Sequence, residues 1–573
     1  MCEGSKKTRK GESMIKIENL CFTYPGADQP QLNGVDLEIQ QGDFIAIVGS
    51  NGCGKSTLCK TLNGLIPHYF SGDFSGDVWI NGKNTKEFNI GELAQEIGYV
   101  YQDFENQIVR PTVLDEASFA CLNYAMTDYI ERGRQALQLT GLYHKEESYI
   151  WQLSGGQKHL LALAGAIALS PGIVVLDEPI AQLDPQHATM IYELLKRLNE
   201  EQKMTIIVIE HHTEFIADYC HEVLMMKDGR VAWKLPTQEA LNRIEDLQSV
   251  HVFPPQVTLA AKRAHACQKV EVNGLYPVKV QDAVHLFKSK RLVMSDMKKY
   301  ERPTDECVIE FSGVSHEYRA VKGENKVALN QFNLNVYKGE KIALIGNNGA
   351  GKSTILKMMT GLMKPKEGYV SLGGKDTRLF SAEQLSDEVS LVYQNPEQMF
   401  VQDNIFDDIA FSMKLRQQAN YEQRAEDLLK MFRLEELRDR DGRLLSGGQM
   451  RRASLAIGVA LGPQVILLDE PTANLDIATR QEIMKILNAT KDVMETAIIA
   501  THDMQLVAEW AERIIVLNDG YIIADGSRDE IFSNQKVCQQ AGIMPPAIYS
   551  LAKLVDNRMN CYGIDEFVEA LEG

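Results

Sequence analysis

Two stretches, GSNGCGKST from Gly49 to Thr57 and GNNGAGKST from Gly346 to Thr354, match the pattern G-x-x-x-x-G-K-[ST]. Glycines there let backbone N–H groups close around phosphate oxygens where a side chain would clash, and the helix that follows favours an anion at its N-terminus. Gly49, Ser50, Asn51, Gly52, Gly54 and Thr57 are therefore candidate cradle residues for a nucleoside triphosphate, as are Gly346, Asn347, Asn348, Gly349, Gly351 and Thr354. Lys55 and Lys352 would reach the β- and γ-phosphates, and Ser56 and Ser353 would ligate Mg²⁺. Cys53 occupies a variable position and reads as filler. Further on, apolar runs end in Asp177-Glu178 and Asp469-Glu470. The aspartates, at strand ends, would hold Mg²⁺ through its water shell. The glutamates are placed to polarise an attacking water as general bases, a role typically worth ~10²–10⁴ in rate. The cofactors expected from these motifs are a nucleoside triphosphate and Mg²⁺.

These residues need a scaffold that presents loops at strand ends. Phe44 to Val48 is continuously apolar and leads into the first glycine-rich loop, and Lys341 to Ile345 does nearly the same in the second. Ile173 to Leu176, Val465 to Leu468, Ile206 to Ile209 and Ala497 to Ala500 have the same texture. Such runs predict strands buried on both faces of a parallel sheet flanked by helices. Between each glycine-rich loop and a later LSGGQ, Asp115 to Ala120 and Tyr421 to Phe432 predict helices of an inserted lobe.

Every landmark occurs twice. LSGGQ stands at Leu153 to Gln157 and at Leu445 to Gln449, and the offset of 292 residues is shared by the Asp-Glu pairs. Pro254-Pro255 and Pro545-Pro546 recur nearly in register, each followed by a Gly and a short mixed segment, Gly274 to Val284 and Gly563 to Leu571. The unit duplicated therefore includes a small C-terminal accessory region. The predicted organisation is a tail (1–13), a first nucleotide-binding domain (14–250) with its accessory region (251–287), a charged linker (288–306), and a second domain (307–537) with its own (538–573).

With 573 residues, 44% hydrophobic and 24% charged, the composition is that of a globular chain. No stretch approaches the ~18 uninterrupted apolar residues of a membrane-spanning helix. The basic start MCEGSKKTRKGES has no apolar segment behind it and is not expected to be a secretory signal. Ten scattered cysteines without a CxxC pair suit a reducing compartment with neither disulfides nor a zinc site. A net charge of −18 argues against nucleic acid as a partner.

The whole set, with LSGGQ as its distinguishing mark, resembles the ATP-binding cassette proteins. The resemblance implies an α/β fold of two tandem ATPase domains of the phosphate-loop class, each with a helical subdomain. It implies that the cassettes pair within the chain, each ATP held by the phosphate loop of one and the LSGGQ of the other. Ser154, Gly155, Gly156 and Gln157, and Ser446, Gly447, Gly448 and Gln449, would then contact nucleotide in trans, through N–H groups at a helix start. By the same resemblance Gln102 and Gln394 sense Mg²⁺ and water, His211 and His502 are the switch histidines, and Leu183-Asp184 and Leu475-Asp476 signal across the pair. Tyr24 and Tyr318 would stack on adenine. Departures are few: Ile180 where the second half has Thr472, and Gln182 against Asn474. Both sites are expected to hydrolyse ATP.

The stretches QDFENQIV after Gln102 and QNPEQMFV after Gln394 are similar to those of energy-coupling-factor (ECF) importer ATPases, in which this segment flanks the groove for a membrane protein. The implied role is the ATPase subunit of such an importer, peripheral on the cytoplasmic face of the membrane. Its partners would be an integral coupling (T-type) subunit and a substrate-binding (S-type) subunit, and its cargo a vitamin, vitamin precursor or metal ion. The alternatives are a soluble twin-cassette ATPase acting on ribosomes or RNA, and a tandem sugar-importer ATPase.

Overall fold

The computed structural model describes residues 13–180, 183, 185–288, 290, 299–318, 326–347, 349–473, 475, 477–490 and 494–572. Residues 1–12 of the tail, 289 and 291–298 of the linker, Gln182, Asp184, Asn348, Asn474 and Asp476 lie outside these residues. The contacts divide the chain between Lys288 and Ser289.

In the first half, five parallel strands run in the order Glu222–Lys227, Phe44–Val48, Thr205–Ile209, Ile173–Asp177 and Ile97–Val100, and Arg230–Pro236 pairs antiparallel at one edge. The second half repeats this with Arg513–Asn518, Lys341–Gly346, Thr496–Ala500, Val465–Asp469 and Val389–Val392, and with Tyr521–Gly526 at the edge.

The continuous apolar runs have a simple cause. Successive strand side chains point to opposite faces, so each strand feeds two cores. Ala46, Val48, Val174, Leu176 and Val208 enter one layer. Ile45, Ile47, Ile173, Val175 and Ile207 enter the other. The first layer carries the helical lobe, built from Val113–Asn123, Tyr129–Leu139 and Gly155–Ile167. In the second half the lobe is Ile405–Leu415, Tyr421–Met431 and Gly447–Val459.

The other layer is closed by a four-stranded antiparallel sheet that the strand reading does not anticipate. It consists of Leu32–Ile39, Ile15–Thr23, Asp73–Ile80 and Lys83–Asn84, with a counterpart in the second half. The reason it escapes is local. Ile15–Thr23 alternates until the pairing register slips beyond Ile17, near Asn19 at φ 46°, so its burial pattern loses the period of two.

The accessory regions are helix pairs: Gln256–Ala266 with Val280–Phe287, and Ala547–Val555 with Ile564–Ala570. The repeated prolines explain their starts, since Pro255 and Pro546 are the residues that cap the first helix of each pair. In the second half Tyr549 and Tyr562 stack at 5.3 Å, and Arg528 lies 4.4 Å over the Tyr562 ring.

Candidate nucleotide site

Each glycine-rich loop joins a buried strand to a helix, Lys55–Leu62 or Lys352–Met359. The backbone demands glycine at the two ends of the turn. Gly54 and Gly351 cap their helices at φ 107° and 105°, and a Cβ at either would lie 2.7 Å from a carbonyl oxygen, of Gln31 or Ala328. Gly49 and Gly346 are tighter still, at 2.3 Å from the carbonyls of Met226 and Leu517. The same close approaches thus constrain the matching glycines of both loops.

Lys55 is buried in its loop, and its Nζ donates to the carbonyls of Gly49 and Ser50 at 2.8 and 3.0 Å. Lys352 does the same towards Gly346 and Asn347 at 2.5 and 3.3 Å. Each ammonium is therefore held inside the turn whose N–H groups would take the phosphate. Ser56 and Ser353 follow, near the carboxylates of Asp177 and Asp469, whose charged forms they favour. Burial pushes both aspartates above the usual carboxylate range, against the pull of those serines. A hydroxyl and a carboxylate side by side are a hard oxygen donor set that fits Mg²⁺ when phosphate oxygens and water complete it. Among the described residues no group of three or more His, Cys, Asp or Glu could hold a metal without such help.

Glu178 and Glu470 come next, both in left-handed backbone conformations at φ 51° and 47°. Non-glycine residues adopt this region at a cost and persist there when surroundings enforce it. Here Glu178 N donates to Ile209 O and Glu470 N to Ala500 O, at 3.1 and 2.8 Å, which turns each glutamate off the end of its strand.

Their side-chain neighbours differ. Glu178 accepts from Gln102 Nε2 at 2.8 Å, and His211 Nε2 lies 3.4 Å away. Burial works against its charge, but His211, Lys55 and Gln102 outweigh it and hold Glu178 below the usual carboxylate range. Glu470 accepts from Thr501 Oγ1 at 3.0 Å and pairs with His502 Nδ1 at 2.9 Å. Burial disfavours the His502 imidazolium, yet Glu470 prevails and raises its pKa. Gln394 is exposed and contributes its backbone carbonyl to Arg451.

Each LSGGQ serine caps the helix that carries the rest of the motif. Ser154 Oγ accepts from Gln157 N at 3.3 Å, and Ser154 N donates to Gln157 Oε1 at 3.1 Å. Ser446 N donates to Gln449 Oε1 at 3.1 Å. The glutamines thus serve the reciprocal cap of their own helix. The glycines divide the labour. A Cβ at Gly155 or Gly447 would meet open space, whereas one at Gly156 or Gly448 would strike His187 or Thr479. Tyr24 and Tyr318 lie beside their loops, with hydroxyls 3.4 and 2.9 Å from Thr57 Oγ1 and Thr354 Oγ1.

Several polar groups at the site went unread in the sequence. Glu116 takes the N–H groups of Val109 and Arg110 at 2.9 and 2.8 Å. Asp408 takes those of Val401 and Gln402, both at 2.8 Å. Each anchors the glutamine turn to the helical lobe, and their recurrence at the repeat offset is the signal that could have found them. Glu210 and Thr501, at equivalent positions before the histidines, have no such signal because their types differ.

A phosphate loop, a strand-end Asp-Glu pair and a capped LSGGQ helix, built twice, define a nucleotide-hydrolysing cassette protein. The chain belongs to the ABC transporter family, whose description matches residues 32–181 and 329–473. It is an ABC transporter ATP-binding protein and an ATPase with two ABC domains. Among its relatives, a "Putative ABC transporter ATP-binding protein" of Methanosarcina acetivorans is 31% identical, covering 99% of this chain and 92% of its own. The "Putative HMP/thiamine import ATP-binding protein YkoD" of Bacillus subtilis is 32% identical over 94% of this chain and 96% of its own. A solved structure, cbiO1 from Clostridium perfringens, described as part of the ABC transporter complex cbiONQ, is 30% identical. It covers 45% of this chain and 100% of its own, with a TM-score of 0.38.

Proposed function

We propose that this protein is the energy-coupling ATPase of an ECF-type importer that takes up a vitamin, vitamin precursor or metal ion through separate membrane subunits. The observation that carries the reading is a cleft of about 440 Å³ beside the second glutamine turn, lined by Leu362, Tyr393, Met399, Leu415, Arg416 and Leu461. Leu362 and Leu415 leave 52% and 67% of their surface exposed on its rim. A cleft of mixed polar and apolar lining that includes Tyr393, the neighbour of Gln394, with leucines exposed on its rim, suits a helix of an integral coupling subunit of T type, whose movement would then be felt at the nucleotide. The acidic-glutamine turns Phe104–Gln107 and Pro396–Met399 favour the ECF type, and the import role in the printed name of YkoD points the same way. No helix among the described residues is long and apolar enough to cross a membrane; in this reading the cargo route and an S-type binding subunit would be other chains. The protein would sit peripherally on the cytoplasmic face.

At each site Lys55 or Lys352 would bind the phosphates, with Mg²⁺ held by Ser56 and Asp177 or by Ser353 and Asp469, next to Gln102 and Gln394. Bound there, Mg²⁺ would neutralise charge on the phosphate oxygens during transfer. Glu178 and Glu470 would orient and deprotonate the attacking water, each steadied by its histidine. The LSGGQ turn of each half would complete the nucleotide of the other.

The test is affinity capture of the full chain from detergent-solubilised membranes, followed by identification of its companions. A small integral subunit that binds a vitamin or metal ion and stimulates ATP turnover supports the reading. Recovery with ribosomes, and no membrane protein, overturns it.

A further inference from the structure

The two halves fasten their glutamine turns differently. In the first, the turn braces itself: Gln107 Oε1 accepts from Tyr101 N at 3.2 Å, and Gln107 Nε2 donates to Tyr99 O at 3.0 Å. The LSGGQ helix reaches this turn through an exposed Lys158–Glu105 pair at 2.6 Å and through the His159 ring, 4.5 Å from Phe104. Burial pushes His159 down to about 4, so the ring is neutral, and its Nε2 meets no hydrogen-bond partner among the described residues. An exposed pair of this kind contributes little and weakens with salt.

In the second half Met399 stands where Gln107 does, Met450 replaces Lys158, and Arg451 replaces His159. Arg451 is only 2% exposed. Its Nη1 donates to Tyr393 O at 2.9 Å and its Nη2 to Gln394 O at 2.6 Å. Burial pushes the guanidinium down to about 10, against Asp469 and Glu470, which favour its charge. It remains a cation at neutral pH. A planar guanidinium fork on two consecutive carbonyls is a charge-assisted, orientation-specific clamp. The carboxylate anchors Glu116 and Asp408 are common to both halves, so this clamp is where they part.

We propose that Arg451 is a positioning residue for hydrolysis at the second site, coupling the backbone of Gln394 to the LSGGQ helix so that the two shift as one body. The first half replaces this coupling with a turn braced from within. A displacement of the second LSGGQ helix is thereby transmitted directly to the backbone of the sensing glutamine, whereas in the first half that helix reaches its turn through side chains, Lys158 on Glu105 and His159 on Phe104. The inference rests on the reading of Gln394 as the residue that senses water and Mg²⁺.

The experiment uses the full chain carrying Glu178→Gln, whose single-turnover ATP hydrolysis reports the second site. Arg451→His, the residue of the first half, should lower the rate roughly tenfold, as expected when a catalytic group is misplaced, with ATP affinity within about twofold. Arg451→Lys keeps the charge and reaches one carbonyl, so it should fall between, and it carries the comparison if the histidine variant does not fold. Gln394→Ala should be at least as slow, and adding Arg451→His to it should cost nothing more, because the arginine acts through that residue. Full activity in both Arg451 variants, or additive losses in the double variant, overturns the clamp alone. A silent Gln394→Ala overturns the sensor reading and the clamp with it.

Discussion

Glu178 and Glu470 occupy the same strained backbone position, yet different hands hold them. In the second half Thr501 donates its hydroxyl to Glu470, whereas in the first Glu210 stands at that position and cannot. Glu210 instead takes the N–H groups of His211 and His212 at 2.7 and 2.9 Å and the hydroxyl of Tyr192 at 2.9 Å. Both glutamates nevertheless stand one residue beyond a strand-end aspartate facing the loop lysine's helix, so both sites should hydrolyse. Replacing Glu178 or Glu470 singly with Gln should remove ~10²–10⁴ of rate at that site, lowering steady-state turnover by about half or more if the sites share the flux. Turnover untouched by either change would mean that only one site works. A pH effect follows from His211. It opposes the burial that would otherwise raise Glu178, so the carboxylate persists to lower pH than usual. Removing the imidazole takes away one of the influences opposing burial, leaving Lys55 and Gln102, and Glu178 then protonates at higher pH than in the native chain. In a Glu470→Gln background, His211→Ala should therefore move the acid limb of the pH–rate profile upward; a limb that stays put or moves down would contradict this.

At the scale of elements, the glutamine turns matter most. Each is a 3₁₀ turn between a core strand and the helical lobe, anchored at its end by a buried carboxylate, Glu116 or Asp408. Such an acceptor binds two N–H groups at once with the strength of its charge. Glu116→Gln or Asp408→Asn should cost about 1–2 kcal/mol in denaturant-induced unfolding of the half concerned, with a larger loss of turnover than of ATP binding. The pattern of these segments was only partly legible. The helices around Asp115 and Tyr421 could be read from sequence, but a polar side chain that caps a turn six or seven residues earlier leaves no periodic trace. The antiparallel sheet was hidden for a related reason, since a slip near Asn19 breaks its alternation.

The whole molecule consists of two compact units that meet along the chain at Lys288 and Ser289. Each carries its own loop lysine, Asp-Glu pair and LSGGQ helix. If the signature turn of one half serves the nucleotide of the other, a chain divided at that boundary should give two fragments that each bind ATP but do not turn it over alone. Mixing should restore turnover only at concentrations approaching the ~mM effective concentration that covalent linkage provides. Fragments that each hydrolyse ATP at the native rate would show that the halves work independently.

The sequence alone determined the duplicated plan, the strands of the parallel sheet and the glycine-rich loops with their lysines. Motifs of this kind are contiguous, and strands buried on both faces must be apolar throughout. Tertiary structure decided how each glutamate is held and which groups brace the glutamine turns. Those contacts join residues distant along the chain, and whether a given Thr, Glu, Arg or His can make them depends on what packing brings within about 3 Å of it.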